Sequence, residues 1–281
     1  MPAEGRIVVI RGGGDLGSAC ALRLSRCGLR VLVVEVSAPL AVRRSVALSE
    51  AIHDGVKQVE ELTGVQIADA TGAIGAWSLG LVPVLVDPEA KCLAAIPPSV
   101  LVDATMTKRS RRTLRHLAPG TVGLGPGFVA GVDVDAVVET NRGPDLGRVL
   151  WSGTAEPNTH RPAPVEGYTS ERVLRAPTAG ILETAAIIGT IVQPGQQVAS
   201  VGGSIIVAPF QGLLRGLLRD GVAVAAGQKI GDVDPRLDPD LCRKVSDKAL
   251  AVSGGVLEAV STILHRQRES DSGPRHGSRG A

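Results

Sequence analysis

A glycine-rich loop between two short apolar runs constrains the fold of this chain most strongly. Arg6–Ile10 is rich in β-branched residues and predicts a strand that ends at Arg11-Gly-Gly-Gly-Asp-Leu-Gly17. Helical spacing follows over Ser18–Cys27, Gly28 is placed to end that helix, and Arg30–Glu35 predicts a second buried strand. This order predicts a Rossmann-like domain with a parallel sheet.

The loop carries the pattern G-x-G-x-x-G, and its spacing has a direct physical meaning. Gly12 makes the tight turn, Gly14 lets backbone N–H groups approach a pyrophosphate, and Gly17 allows the helix to pack closely. The positive end of the helix dipole also favours an anion. Glu35 ends the second strand and is the predicted ligand of ribose-like hydroxyls.

Further candidate residues surround this loop. Gly13 and Asp15 belong to it, although the Asp15 carboxylate would bring negative charge near any phosphate. Arg43 and Arg44 follow the second strand. They could meet a phosphate, such as a 2′-phosphate or a pterin phosphate, or they could form a solvated surface pair.

Two later segments extend the predicted α/β unit. Asp103 ends the predicted strand Val100–Asp103, where open α/β sheets place their ligands. Gly125 and Gly127 lie in a second glycine-rich loop, Gly125–Gly131, which is either a plain turn or a ligand-facing loop. The predicted cofactor-binding residues are therefore Gly12, Gly13, Gly14, Asp15, Gly17, Glu35, Arg43, Arg44, Asp103, Gly125 and Gly127.

The second half of the chain contains an internal repeat with an offset of 32 residues. Ala176-Pro-x-x-Gly180 matches Ala208-Pro-x-x-Gly212, and Gly195-Gln196 matches Gly227-Gln228. One copy is too small to bury its apolar face, so the two copies should pair. The pattern resembles the half-motif of biotinyl/lipoyl domains, which implies a small β domain of the barrel-sandwich-hybrid type. Those domains carry a modifiable Lys at a hairpin tip, whereas Lys229 lies at a turn-to-strand position here, so the resemblance implies the fold without a carrier role.

These patterns divide the chain into segments. We expect a long apolar-spaced helix over Asp240–Gln267, interrupted at Gly254-Gly255 and docked on one of the domains. The predicted boundaries are 1–150 for the Rossmann-like domain, 151–169 for a linker or loop, 170–236 for the β domain, 237–267 for the C-terminal helical segment and 268–281 for a disordered tail.

Composition excludes several classes of function. A net charge of +2 and only five aromatic residues argue against nucleic-acid binding. The uncharged stretch from Thr184 to Leu214 contains prolines and glutamines that argue against a membrane helix. The four cysteines show no disulfide or metal spacing, so we expect a cytoplasmic protein. Cys20 and Cys27 are expected to share a helix face, as core residues or as a redox or sulfur relay.

Other charged or titratable groups could have either a structural or a ligand-binding role. The cluster from Lys108 to Arg115 is either the solvated face of a helix or an anion-binding rim. His53 follows Glu50 by three residues. Its side chain is either exposed or hydrogen-bonded within the protein, or it is a metal ligand. We found no H-E-x-x-H or other metal spacing, and we predict no metal site.

Several longer motifs occur in order along the chain and resemble those of the YqeB family. They are I-R-G-G-G-D-L-G-S, R-R-x-V-x-x-S-E-A at Arg43–Ala51, G-L-G-P-G-F-V-A-G at Gly123–Gly131, V-V-E-T-N-R-G at Val137–Gly143, G-x-A-E-P-N-T at Gly153–Thr159 and G-Y-x-x-E-R-V-L-R-A-P at Gly167–Pro177. The resemblance covers about residues 5–265.

That family consists of accessory proteins of selenium-dependent molybdenum hydroxylase systems. The resemblance therefore implies a role in the maturation of a xanthine-dehydrogenase-type apoenzyme, related to that of the XdhC/CoxF factors, and it supplies no catalytic residues. The expected ligand is a phosphorylated small molecule, with NAD(P) and the molybdopterin cofactor as candidates. Two alternatives are an NAD(P)-dependent oxidoreductase, with Asp103, Lys108 or His116 as its acid or base, and a non-enzymatic scaffold docking on the hydroxylase.

Overall fold

A computed structural model describes residues 6–106, 113–158 and 164–271 of the chain. Its architecture is mixed α/β, with one nine-stranded sheet, two four-stranded antiparallel sheets, a two-stranded pair and a long C-terminal helix. The strands are β1 (Ile7–Arg11), β2 (Arg30–Glu35), β3 (Val56–Val59), β4 (Leu62–Ile67), β5 (Val82–Val86), β6 (Val100–Asp103), β7 (Thr121–Leu124), β8 (Val129–Ala130), β9 (Ala136–Val138), β10 (Val149–Leu150), β11 (Gly153–Thr154), β12 (Val173–Arg175), β13 (Gly180–Thr184), β14 (Ile191–Val192), β15 (Gln197–Val201), β16 (Ser204–Val207), β17 (Gly212–Leu217), β18 (Ala223–Val224) and β19 (Lys229–Asp234). The helices are α1 (Asp15–Arg26), α2 (Ala51–Asp54), α3 (Gly72–Ser78) and α4 (Asp247–Asp271).

The large sheet has the order β10-β9-β7-β6-β1-β2-β5-β4-β3. Its central strands are parallel, and an antiparallel strand lies at each edge. Both faces are covered, which explains why β1 is apolar from Ile7 to Ile10 rather than alternating. Val8 and Ile10 pack in a core with α1 and α4, while Val9 packs on the opposite face with Ala73 of α3.

The first strand, helix and second strand form as the sequence predicts, with one shift. Helix α1 begins at Asp15 rather than Ser18, and Gly28 adopts a φ of +78° just after it. That left-handed conformation is the one that a glycine following a helix supplies at little cost. The glycine-rich loop is therefore a short connection from β1 straight into α1.

The repeat is visible in the pairing of the smaller sheets. With the 32-residue offset, β13, β14 and β15 correspond to β17, β18 and β19. Each copy lends a strand to the other, since Gly180 pairs with Val224 and Gly212 pairs with Val192. The two sheets have the orders β12-β19-β17-β14 and β16-β15-β13-β18, which the same offset interchanges. The expected pairing of the two copies is confirmed, and the uncharged stretch is built of these strands.

The C-terminal helix differs from the prediction in two ways. It begins at Asp247 rather than Asp240, and it runs unbroken through Gly254 and Gly255. Helix α4 lies against α1 and the large sheet, where a Cβ on Gly255 would overlap the Gly147 carbonyl oxygen. These glycines therefore do not interrupt α4, and Gly255 permits close packing. Residues 268–271, predicted to be disordered, are helical, and residues 272–281 lie outside the described part.

The two four-stranded sheets, here called the β region, contact the large sheet through the segment that follows β2. Leu217 of β17 donates its N–H to the Val42 carbonyl at 2.9 Å, and Arg219 binds Glu50 at 2.7 Å. The large sheet uses residues 7–150 and the two four-stranded sheets use residues 173–234, while the exact domain boundaries stay a prediction. Among the described residues, no helix combines the length and apolar character needed to cross a membrane.

Candidate functional site

A cleft of about 880 Å³ opens at the carboxyl ends of β1, β2, β5 and β6. Strand β1 has β2 on one side and β6 on the other, so the cleft lies where the strand order reverses, the position at which open α/β sheets bind ligands. Its volume falls in the range of small-molecule sites. The lining residues used below are Arg11, Gly12, Gly14, Asp15, Glu35, Arg43, Ser49, Asp87, Asp103, Phe128 and Lys229.

Two of the three motif glycines are required by the protein itself. Gly12 has a φ of +90°, and a Cβ there would lie 3.0 Å from the Thr105 nitrogen. A Cβ on Gly17 would overlap the Gly12 carbonyl oxygen. The predicted roles of these glycines, a tight turn and close helix packing, are confirmed by this geometry.

Gly14 is different. It precedes α1 with φ −69° and ψ −169°, a conformation open to any residue, and apart from its chain neighbours no atom of the described residues lies within 4 Å of the position of a Cβ. Neither backbone strain nor packing explains this glycine, which faces the cleft. The first helical hydrogen bond runs from Ser18 N to Gly14 O, so the preceding N–H groups have no helical acceptor.

Glu35 reaches the same loop. One carboxylate oxygen accepts from Gly13 N at 2.7 Å and the other from Val36 N at 2.9 Å. These bonds fix the carboxylate at the end of β2, and each oxygen keeps a lone pair for a ligand hydroxyl. The structure therefore brings Glu35 together with the glycine loop, as the spacing predicts.

The charge of Asp15 is balanced within the protein. Arg43 Nη1 lies 3.1 and 3.0 Å from the two Asp15 carboxylate oxygens. Arg43 Nη2 donates to the Leu241 and Lys244 carbonyls at 3.1 and 2.9 Å. This arrangement removes most of the repulsion that Asp15 would otherwise exert on a phosphate, and it occupies both terminal nitrogens of Arg43.

Asp103 forms the inner wall beside the loop. Its carboxylate accepts from Arg11 Nη1 at 2.6 Å and from the Thr105 hydroxyl at 2.6 Å. Asp87, at the end of β5, is also engaged, because the Cys92 N–H donates to it at 2.7 Å. Burial opposes ionisation of Asp87, but the backbone N–H groups of Cys92 and Lys91 outweigh it and hold its pKa below the usual value.

The β region contributes Lys229 to the cleft, which sequence reasoning missed. Its ammonium lies 3.8 Å from Asp232, and Asp232 makes closer contacts with Arg172 at 2.8 and 3.1 Å. Burial lowers the pKa of Lys229, and neighbouring arginines reinforce this, while Asp232 opposes it. No short-range signal links Lys229 to a loop more than 200 residues earlier.

Other predicted residues lie elsewhere. Arg44 Nε donates to the Leu217 carbonyl at 2.8 Å, outside the residues that line the cleft, and burial lowers its pKa. Gly125 and Gly127 adopt φ values of +70° and +115° and do not line the cleft either, but Phe128 of the same loop does. A Cβ on Gly125 would lie 2.5 Å from the Thr140 hydroxyl, so this glycine serves packing.

The remaining candidates are dispersed. His116 and His53 are exposed and lie outside the cleft, and Lys108 lies outside the described residues. Arg115 binds Asp135 at 3.0 Å. Cys20 is buried and Cys27 is exposed, so they do not share an environment. In the described ranges no group of three or more His, Cys, Asp or Glu side chains is placed to hold a metal ion.

Comparisons with known proteins give one clear relative. No family model matches the chain. The uncharacterized protein YqeB of Escherichia coli (strain K12) is 44% identical over 265 residues, which are 94% of this chain and 49% of that protein. The chain thus spans about half the length of the curated relative that it matches.

Solved structures show only distant likeness. An aspartoacylase family protein from Mesorhizobium loti has a TM-score of 0.26 and 16% identity, with 83% of this chain and 86% of that chain covered. The product-bound ectoine utilization protein EutE (DoeB) from Ruegeria pomeroyi has a TM-score of 0.23 and 13% identity, with 81% and 57% covered. Scores this low carry no argument about fold or function. The sequence relative is informative, because the chain is homologous to YqeB over 265 residues. This homology supports the YqeB family that the motifs indicate.

Proposed function

We propose that the cleft binds a phosphorylated small molecule, either a nucleotide such as NAD(P) or the molybdopterin cofactor, with its phosphate on the glycine loop. The observation that carries this proposal is Gly14. Its missing side chain leaves open space at the start of α1, and no other part of the described chain fills that space. A phosphate needs such a close approach to backbone donors, so the residues present fit either ligand.

The charges around the loop support an anionic ligand. Arg43 offsets Asp15, Arg11 offsets Asp103, and Lys229 adds a cation whose nearest carboxylate is shared with Arg172. Glu35 keeps acceptor capacity for hydroxyl groups beside the phosphate. The cleft therefore offers donors for a phosphate and an acceptor for a sugar or another polyol.

We also propose that the protein serves as an accessory factor in the maturation of a molybdenum hydroxylase of the xanthine-dehydrogenase type. This part rests on the resemblance to the YqeB family and on the 44% identity to YqeB. A cleft that holds a phosphorylated ligand is compatible with handling a pterin cofactor for delivery to an apoenzyme. When bound, a molybdopterin would supply the redox-active metal site, while this chain would bind and orient its phosphate.

We also propose that the β region has the barrel-sandwich-hybrid fold. This proposal is supported by the exchange of strands between the two repeat copies. The hairpin between β15 and β16 has Gly202 and Gly203 at its tip. Lys229 lines the cleft instead. We therefore assign the β region a role in completing the cleft rather than a swinging-arm role.

An NAD(P)-dependent oxidoreductase is the second candidate, and the position of Asp103 favours it. Among the three predicted acid–base residues, Asp103 is the one that the described structure brings to the cleft. Its carboxylate accepts hydrogen bonds from Arg11 and from the Thr105 hydroxyl, which fix its position beside the glycine loop. Reduction of NAD(P) by a substrate in the presence of the protein would decide for this candidate.

The proposal is tested by native mass spectrometry of protein purified from its own host and by calorimetric titration with NAD, NADP and pyrophosphate. Gly14→Asp should abolish binding of all three, because its carboxylate enters the phosphate position. Asp is also a favourable residue before a helix, so α1 should persist. Gly75→Asp is the matched control, since Gly75 is exposed on α3 with open space around it. Retained binding by Gly14→Asp, or no binding by the wild-type protein, would contradict the proposal.

A further inference from the structure

Ser49 packs directly on the glycine loop. It lies in a short 3-10 helix, Leu48–Glu50, and its N–H donates to the Gly13 carbonyl at 2.9 Å. A Cβ on Gly13 would lie 2.9 Å from the Ser49 nitrogen, so the two backbones touch. Ser49 also lines the cleft. A side chain at this position lies next to the loop that holds the phosphate in the proposed function.

The Ser49 hydroxyl has no hydrogen-bond partner among the described residues, although Ser49 is only 1% exposed. The neighbouring Ser18 is equally buried, yet its hydroxyl donates to Gly13 O at 2.9 Å and accepts from Leu48 N at 2.7 Å. Leaving a buried hydroxyl unpaired is unfavourable, because the group gives up its hydrogen bonds to water on burial and gains none in return. An unpaired hydroxyl in a residue that lines a cleft therefore indicates a partner that enters through the cleft.

A second buried donor lies in the same segment. Arg43 Nε has no acceptor among the described residues, although both terminal nitrogens of Arg43 are engaged. Arg43 and Ser49 both line the cleft. Two unpaired donors on residues that line one cleft favour an acceptor-rich ligand, and phosphate oxygens are such acceptors.

We propose that Ser49 is a ligand-binding residue whose hydroxyl donates a hydrogen bond to a phosphate oxygen of the molecule on the glycine loop. The proposal rests on the proposed function of the cleft. The competing arrangement is a buried water that joins Ser49 to Glu50, because one Glu50 carboxylate oxygen is also buried without a partner in the described chain.

The test compares calorimetric titrations of the wild-type protein and Ser49→Ala with pyrophosphate and with NAD. Hydrogen bonds to charged acceptors contribute about 1.5–3 kcal/mol, so Ser49→Ala should bind both probes about tenfold to a hundredfold more weakly. Its thermal midpoint without ligand should be unchanged or higher, because the substitution removes an unpaired group. Ser253→Ala is the matched control, since Ser253 is a buried serine on α4 that does not line the cleft.

Each other outcome has a definite meaning. Unchanged affinity in Ser49→Ala, with normal binding by the wild-type protein, overturns this inference alone and supports the buried water. Weaker binding of NAD with unchanged binding of pyrophosphate also overturns it, because the hydroxyl then contacts another part of the ligand. If the wild-type protein binds neither probe, the proposed function fails first and the inference fails with it.

Discussion

The adjacent glycines of α4 provide the sharpest test of the packing, because one substitution should stabilise the protein and its neighbour should destabilise it. Apart from the neighbouring backbone of α4, no atom of the described residues lies within 4 Å of the position of a Cβ on Gly254. A Cβ on Gly255 would overlap the Gly147 carbonyl oxygen and lie 2.8 Å from Val138 Cγ1. In a helix interior, glycine is about 0.8–1.0 kcal/mol less favourable than alanine.

Gly254→Ala should therefore raise the free energy of unfolding by about 1 kcal/mol. Gly255→Ala gains the same helix propensity, but α4 and the segment around Gly147 must separate by roughly 1 Å to admit the methyl group. Overpacking of this kind costs about 1–3 kcal/mol, and loosening α4 from the large sheet adds to it. We expect Gly255→Ala to be destabilised by about 1–2 kcal/mol after the gain in propensity is included.

Thermal and urea denaturation followed by circular dichroism would measure both variants. For a domain of this size, 1 kcal/mol corresponds to a change of about 2–4 °C in the midpoint. The midpoints of the two variants should therefore move in opposite directions. If Gly255→Ala were as stable as Gly254→Ala, the close approach of α4 to residue 147 would be wrong. If neither variant gained stability, the continuity of α4 through both positions would be in doubt.

Two further predictions concern the cysteines and the cleft. A maleimide should label Cys27 alone under native conditions, because the other three cysteines are buried. Burial raises the pKa of the Cys20 and Cys92 thiols to about 12 and also raises the pKa of Cys242. More than one adduct per chain by mass spectrometry would contradict this prediction. Binding of NAD should weaken as the pH rises through the pKa of Lys229, which burial holds below the usual value for a lysine, because the ammonium then loses its proton. Lys229→Met should remove that dependence in calorimetry, and an equal slope in both proteins would exclude Lys229 as its source.

The glycine loop could be predicted from sequence because its determinants are local. The turn at Gly12, the packing at Gly17 and the position of Glu35 all follow from spacing within one strand, helix and strand. The repeat could be predicted for a similar reason, since the same pattern occurs twice and each copy leaves an unpaired face. In both cases a short segment contains the whole physical argument.

The rest of the cleft depends on contacts between distant segments. The sequence predicts that Asp15 disfavours a phosphate, because it does not show that Arg43 pairs with Asp15 in the folded protein. Arg44 has the same charge and lies next to Arg43, yet the two side chains diverge, and Arg44 binds β17 instead. Sequence alone does not distinguish the two arginines, because the direction of each depends on what packs beside it.

The segment from Val42 to Glu50 connects the glycine loop with the β region. Ser49 supports the glycine loop, Arg43 neutralises Asp15, and Val42 accepts a backbone hydrogen bond from Leu217 of the β region. At its end, Glu50 binds Arg219, which lies just beyond β17. The same few residues therefore shape the wall of the cleft and attach the β region that supplies Lys229. Because Val42 and Glu50 flank Arg43 and Ser49, we expect a ligand that holds Arg43 and Ser49 in place to strengthen the attachment of the β region to the large sheet.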